Sequence, residues 1–167
     1  NVKNIITEHP KYIIITLHRR ENANKLNDMW DQLNILVNKY SSLKFIYIKH
    51  PSIKSYTQFL HSNIVLFDPL DYISMVHLIY NCVGIISDSG GLQEEATCAK
   101  KNILICRDTT ERPETIEFNY GKLVGTNILD NFEFILNNTP ELSQNPYGDN
   151  VSMKIYNKLN LLVSTDL

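Results

Sequence analysis

The run Tyr12-Ile13-Ile14-Ile15-Thr16-Leu17 constrains the fold more than any other segment, because it offers no polar face to water. Its β-branched residues are stiff at χ1 and favour pleated backbone. A strand apolar on both sides must be covered on both sides, which is the situation inside a parallel sheet. Shorter runs of the same kind recur at Phe45-Ile46-Tyr47-Ile48, Ile64-Val65-Leu66-Phe67, Val83-Gly84-Ile85-Ile86, Ile103-Leu104-Ile105 and Lys122-Leu123-Val124. Between them the period changes. Leu26 to Lys39 sets Met29, Trp30, Leu33, Leu36 and Val37 at helical spacing, and Asp71 to Asn81 does so with Tyr72, Met75, Val76 and Ile79.

Further helices are predicted at Tyr56 to Leu60, after Gly90-Gly91, around Asp130 to Asn137 and, as a closing amphipathic helix, from Val151 to Val163. Residues 138–150, with Pro140, Pro146 and Gly148, form a turn-rich connection. Strands alternating with helices of about ten residues predict βαβ units. The expected fold is therefore α/β: a single Rossmann-like domain whose parallel sheet is covered by helices on both faces. A length of 167 residues suits one such domain.

Ligands of these sheets bind beyond the carboxyl ends of the strands, and three polar clusters fall there. The first strand runs into His18-Arg19-Arg20-Glu21-Asn22. Arginine forks match phosphate oxygens, and histidine can donate to the same group; a solvated turn with local Arg–Glu pairing would give the same letters. The fourth strand runs into Asp88-Ser89-Gly90-Gly91-Leu92-Gln93-Glu94-Glu95-Ala96. A glycine turn opening a helix aims unpaired N–H groups outward and lets backbone approach a phosphate. Glu95 is placed to accept hydrogen bonds from a diol such as ribose, although Glu94 and Glu95 would also complement the helix dipole. Adjacent helical residues diverge, so only one of the two faces the cleft. The third cluster is Arg107-Asp108-Thr109-Thr110-Glu111-Arg112-Pro113-Glu114, in which Arg112 either meets ligand or pairs with a glutamate.

His50, after the second strand, touches ligand or caps a helix. Leu70 and Met75 flank a helix start where a flat base could rest, or simply pack in the core. Asp88-Ser89-Gly90-Gly91 also echoes a serine-protease nucleophile motif. That reading is rejected, because those enzymes are all-β and this motif enters a helix.

Taken together, His18 to Asn22, Asp88 to Ala96, Arg107 to Glu114 and Asn145-Pro146-Tyr147-Gly148-Asp149, in this order, resemble the non-hydrolysing UDP-N-acetylglucosamine 2-epimerases. That family has two Rossmann domains in the GT-B arrangement, and the resemblance covers only its carboxyl-terminal half. The chain begins at Asn1 rather than methionine, which suits a piece of a longer protein. The resemblance implies inversion at C2 of the sugar with no cofactor and no metal. UDP leaves from C1 as the C2 proton is taken, then adds back after protonation on the other face.

In this resemblance His18 is catalytic, Arg19, Ser89, Gly90, Gly91 and Arg112 hold the diphosphate side, Glu95 the ribose, and Leu70 and Met75 the uracil. Arg20, Glu21, His50, Arg107, Glu111 and Glu114 are expected to support that site or a second, regulatory one. His50-Pro51-Ser52 departs from the family's His-x-Asn-Pro, which weighs against the regulatory site. The implied partners are a UDP-sugar, the amino-terminal Rossmann domain and, for the whole enzyme, a second copy in a homodimer. Alone, the chain is expected to bind UDP weakly and turn nothing over. Competing assignments are an epimerase of a 6-deoxy or uronic UDP-2-acetamido sugar, a GT-B glycosyltransferase, or a non-catalytic UDP-sugar-binding domain. Gly91 and Thr110 favour N-acetylglucosamine over the other sugars.

A net charge of −2 argues against nucleic acid as a partner. No apolar stretch approaches the about 20 residues that span a bilayer, and no secretory signal is visible. Three cysteines, Cys82, Cys98 and Cys106, without Cys-x-x-Cys spacing fit buried free thiols in a reducing cytoplasm.

Overall fold

The computed structural model describes residues 2–53, 61–140 and 145–164. In chain order these form α1 (Val2–Glu8), β1 (Tyr12–Thr16), α2 (Leu26–Lys39), β2 (Lys44–Ile48), β3 (Ile64–Phe67), α3 (Tyr72–Asn81), β4 (Gly84–Ser87), α4 (Gly90–Cys98), β5 (Asn102–Ile105), α5 (Pro113–Glu117), β6 (Gly121–Leu123), α6 (Ile128–Asn131), α7 (Glu133–Asn137) and α8 (Val151–Ser164). The helix predicted at Tyr56 to Leu60 lies outside the described residues.

All pairings in the sheet are parallel, in the order β3-β2-β1-β4-β5-β6. Side chains of β1 alternate between two apolar layers. Ile13 and Ile15 join α2 (Met29, Leu33, Leu36, Val37) with Phe132 and Ile135 on one face. Tyr12 and Ile14 join α1 (Val2, Ile5), α3 (Leu78, Ile79) and α4 (Leu92, Ala96) on the other. This is the doubly wound arrangement predicted, and its strand order reverses between β1 and β4. A crevice opens at that reversal, outside the carboxyl ends of the two strands.

Three local features differ from expectation. The helix predicted around Asp130 to Asn137 is two short ones, because Phe132 is fully buried against Tyr40 and Phe45 and the chain turns around it. Bonds from Phe132 N to Leu129 O and from Ile135 N to Phe132 O mark the tightened turn. The turn at Pro113 continues into α5, with proline at a first-turn position where its missing N–H does not matter. The helix α8 forms as predicted but closes nothing: Val151, Met153, Ile155, Tyr156, Leu159, Leu161 and Leu162 are all exposed. At the other end of α3, Asp71 accepts from Ser74 N (3.0 Å) and Ser74 Oγ (2.6 Å), a capping arrangement that sets the helix start.

Candidate functional site

The chain leaving β1 and the chain leaving β4 meet at the reversal point, and Asp88 ties them together. Its carboxylate is wholly buried. Oδ2 accepts from His18 N (3.0 Å), Arg19 N (2.8 Å) and Asn22 Nδ2 (3.0 Å), and Oδ1 accepts from His18 N at 3.1 Å. Asn22 Nδ2 also donates to Cys106 O (2.9 Å), which brings in the end of β5. The buried charge is thus satisfied by donors, as a carboxylate in an apolar setting must be. The echo of a protease motif therefore has a structural cause: Asp88 organises turns rather than a nucleophile.

His18 Nδ1 lies 3.5 Å from Asp88 Oδ1. The ring stacks on His50, with centroids 4.3 Å apart and planes 17° apart. Burial lowers the His18 pKa; Asp88 opposes this, while His50 and Arg19 add to it. His50 accepts from Ser52 N at 3.2 Å through Nδ1 and pairs with Ser52 Oγ at 2.8 Å, while its ring backs that of His18. A cleft of about 420 Å³ is lined by His18, Arg19, Arg20, Glu21, His50 and Ser52.

Ser89 precedes α4 in extended backbone, and its side chain makes no capping bond. A helix start leaves its first N–H groups without intrahelical partners. Neither glycine is demanded by a positive φ. A Cβ at Gly90 would sit 3.5 Å from Arg19 Nη2, and one at Gly91 would meet nothing within 4 Å. The guanidinium of Arg19 therefore stands at the opening of α4, beside open space, where an anion fits.

The third cluster divides into two parts. Arg107 is buried and held by Glu21 (2.9 Å) and by both oxygens of Glu111 (2.7 and 2.9 Å). These bonds hold the Glu111 carboxyl down to about 2 and raise Arg107 further. Arg107 thus clamps the turn after β1 to the loop after β5, while the glutamate pairing considered for Arg112 is made by Arg112 itself. Arg20, by contrast, is exposed. Arg112 precedes α5 and pairs through Nε with Glu94. Glu94 faces Arg112, and Glu95 is half-buried, its pKa raised by burial and then by Glu94. Both line a groove of about 340 Å³ between α3 and α4, with Tyr72, Val76, Tyr80 and Gly91.

Leu70 and Met75 pack against the apolar layer that contains Leu92. Glu114 is partly buried on the first turn of α5. The Asn145 to Asp149 segment is a staple: Tyr147 Oη pairs with Thr115 Oγ1 at 2.6 Å, and Asn145 Nδ2 reaches Cys98 Sγ at 3.4 Å; Cys98, expected to be buried like Cys82 and Cys106, is exposed at the surface end of α4. Sequence reasoning passed over Asp88, Asn22 and Gln93. All three stood inside quoted motifs, and all three are buried polar groups. For Asp88 alone a signal was available, a short polar residue directly after an apolar strand.

These features define a doubly wound α/β domain with an open helix start beside a guanidinium at its strand-order reversal. Residues 1–160 match the family described as UDP-N-acetylglucosamine 2-epimerase, and the chain belongs to that family. It is 35% identical over 158 residues to the UDP-N-acetylglucosamine 2-epimerase of Campylobacter jejuni, covering 86% of this chain and 41% of that one. To the enzyme of the same name from Neisseria meningitidis it is 36% identical over 165 residues, covering 90% and 44%.

Among solved structures, the Methanocaldococcus jannaschii UDP-GlcNAc 2-epimerase in complex with UDP-GlcNAc and UDP superposes with a TM-score of 0.85 at 30% identity, covering 96% of this chain and 48% of that one. The Neisseria meningitidis enzyme bound to UDP-GlcNAc gives 0.79 at 33% identity, covering 95% and 48%. The chain thus spans somewhat less than half the length of the relatives it matches. No helix among the described residues is long and apolar enough to cross a membrane.

Proposed function

We propose that this chain is the UDP-holding carboxyl-terminal half of an enzyme that interconverts UDP-N-acetylglucosamine and UDP-N-acetylmannosamine. One observation carries the reading: the opening of α4, with an uncapped Ser89 and open space at Gly91, faces the Arg19 guanidinium at the reversal of strand order. Ser89, Gly90, Gly91, Arg19 and Arg112 hold the diphosphate, Glu95 the ribose hydroxyls, and Leu70 and Met75 border the uracil.

The C2 proton of the sugar is remote from any group that would stabilise a carbanion, so its removal is coupled to departure of UDP from C1. Charge builds on the leaving diphosphate in that step. Preorganised donors at a helix start and cations beside it act where charge develops. His18, backed by Asp88 and His50, stands ready to give a proton or hydrogen bond to the same group. The acid and base that work at C2 come from an amino-terminal domain. The exposed apolar side chains of α8 support such a domain, because a helix with this pattern ordinarily packs against another surface. The assembled enzyme is a homodimer in the cytoplasm, where Cys82 and Cys106 stay as the buried thiols observed.

Calorimetric titration of the chain with UDP tests the proposal. Wild type is expected to bind, with clear losses for Ser89→Ala and Arg112→Ala and no turnover of UDP-N-acetylglucosamine. Undiminished affinity in both variants would remove the assigned pocket.

A further inference from the structure

We infer that Gln93 and Thr110 are positioning residues for Arg112, forming a relay of hydrogen bonds from the interior of α4 to the loop that presents its guanidinium. The inference rests on the diphosphate site proposed above and adds to it how the cation is held.

Gln93 is wholly buried, an uncommon place for an amide unless its bonds are made. Its Nε2 donates to Ser89 O at 3.3 Å, within the turn that opens α4. Its Oε1 accepts from Thr110 Oγ1 at 2.6 Å. The Thr110 oxygen in turn accepts from Arg112 N at 3.0 Å. A hydroxyl has one proton, and here it is committed to Gln93, so the direction of the chain is fixed from Arg112 N–H to Thr110 to Gln93. The Gln93 backbone carbonyl is occupied as well, by Thr97 Oγ1 at 2.8 Å. The amide therefore joins the two loops that the site needs, the turn at Ser89 and the approach to α5.

The next residue completes the hold. Successive helical side chains diverge by about 100°, so Gln93 points inward to the loop while Glu94 points outward to Arg112 Nε. Arg112 Nη1 donates to Glu111 O at 3.3 Å. Among the described residues these contacts use Nε and Nη1 and leave Nη2 as the donor for an anion. An arginine on a loop loses much of its value when its backbone wanders by an ångström. A buried, directional relay prevents that wandering, which apolar packing of an exposed loop would not.

The test is a double-mutant cycle on UDP affinity, measured by calorimetry on the whole chain. Thr110 is only partly buried, so Thr110→Val removes the hydroxyl with little change of shape. It is expected to weaken UDP binding about fivefold, the equivalent of one neutral hydrogen bond. Thr110→Ser keeps the hydroxyl and is expected to bind as wild type does. Arg112→Ala should weaken binding about thirtyfold, as loss of a charged donor does. On that background Thr110→Val should add no further loss, because the residue it positions is gone. A fivefold loss that persists in the absence of Arg112, or no loss in its presence, overturns the relay and leaves the diphosphate site standing. Full affinity in Arg112→Ala overturns the part assigned to Arg112, and the relay with it; the same result in Ser89→Ala as well removes the site.

Discussion

Replacing Asp88 by alanine isolates the group on which the whole crevice depends. The carboxylate takes donors from His18 N, Arg19 N and Asn22 Nδ2 at 2.8 to 3.1 Å, and it has no exposure to water. Each donor stranded in the interior costs about 1–3 kcal/mol. The His18 side chain is 27% exposed, so water can reach part of this turn. Asn22 keeps its bond to Cys106 O. Relief from burying the charge offsets a further share. The net loss of stability expected for Asp88→Ala is about 3 kcal/mol.

Asparagine makes the sharper comparison. With its amide oxygen at the Oδ2 position it still accepts from all three donors, and only its NH₂ group faces His18; the expected cost is about 1 kcal/mol. Urea unfolding followed through Trp30, the single tryptophan and a core residue, measures both variants. An alanine variant no less stable than the asparagine variant would show that the three donors find other partners, and the account of the crevice would be wrong.

Three further outcomes are expected. Glu111, held down to about 2 from its ordinary 4.5 by Arg107, stabilises the fold above pH 4.5, and that contribution is lost as pH falls toward 2. Urea midpoints across that interval should therefore fall less steeply in Glu111→Gln than in wild type. Glu95→Ala should weaken UDP about tenfold but 2′-deoxy-UDP far less; equal losses in titrations with the two nucleotides would place Glu95 away from the ribose. Gly84→Ala would set a Cβ 2.4 Å from Ile135 Cγ2, so denaturant unfolding should show about 1–3 kcal/mol of lost stability.

Much of this molecule was legible from period alone. The run from Tyr12 to Leu17 had to be an interior strand, since it has no wet face. The spacing of Met29, Trp30, Leu33, Leu36 and Val37 had to be a helix stripe. Both are statements about neighbours in sequence, where backbone geometry converts spacing into faces. The location of the polar clusters at the carboxyl edge followed from the same strand boundaries.

Tertiary structure decided what lies next to what. His18 and Asp88 meet across 70 positions because β1 pairs with β4, and Arg107 meets Glu21 across 86. No local pattern encodes such a pairing, which depends on burying both faces of one sheet at once. The same reason governs the choice of Glu94 for Arg112 and the break at Phe132. It also governs α8, whose apolar stripe was plain in the letters although it stays exposed among the described residues.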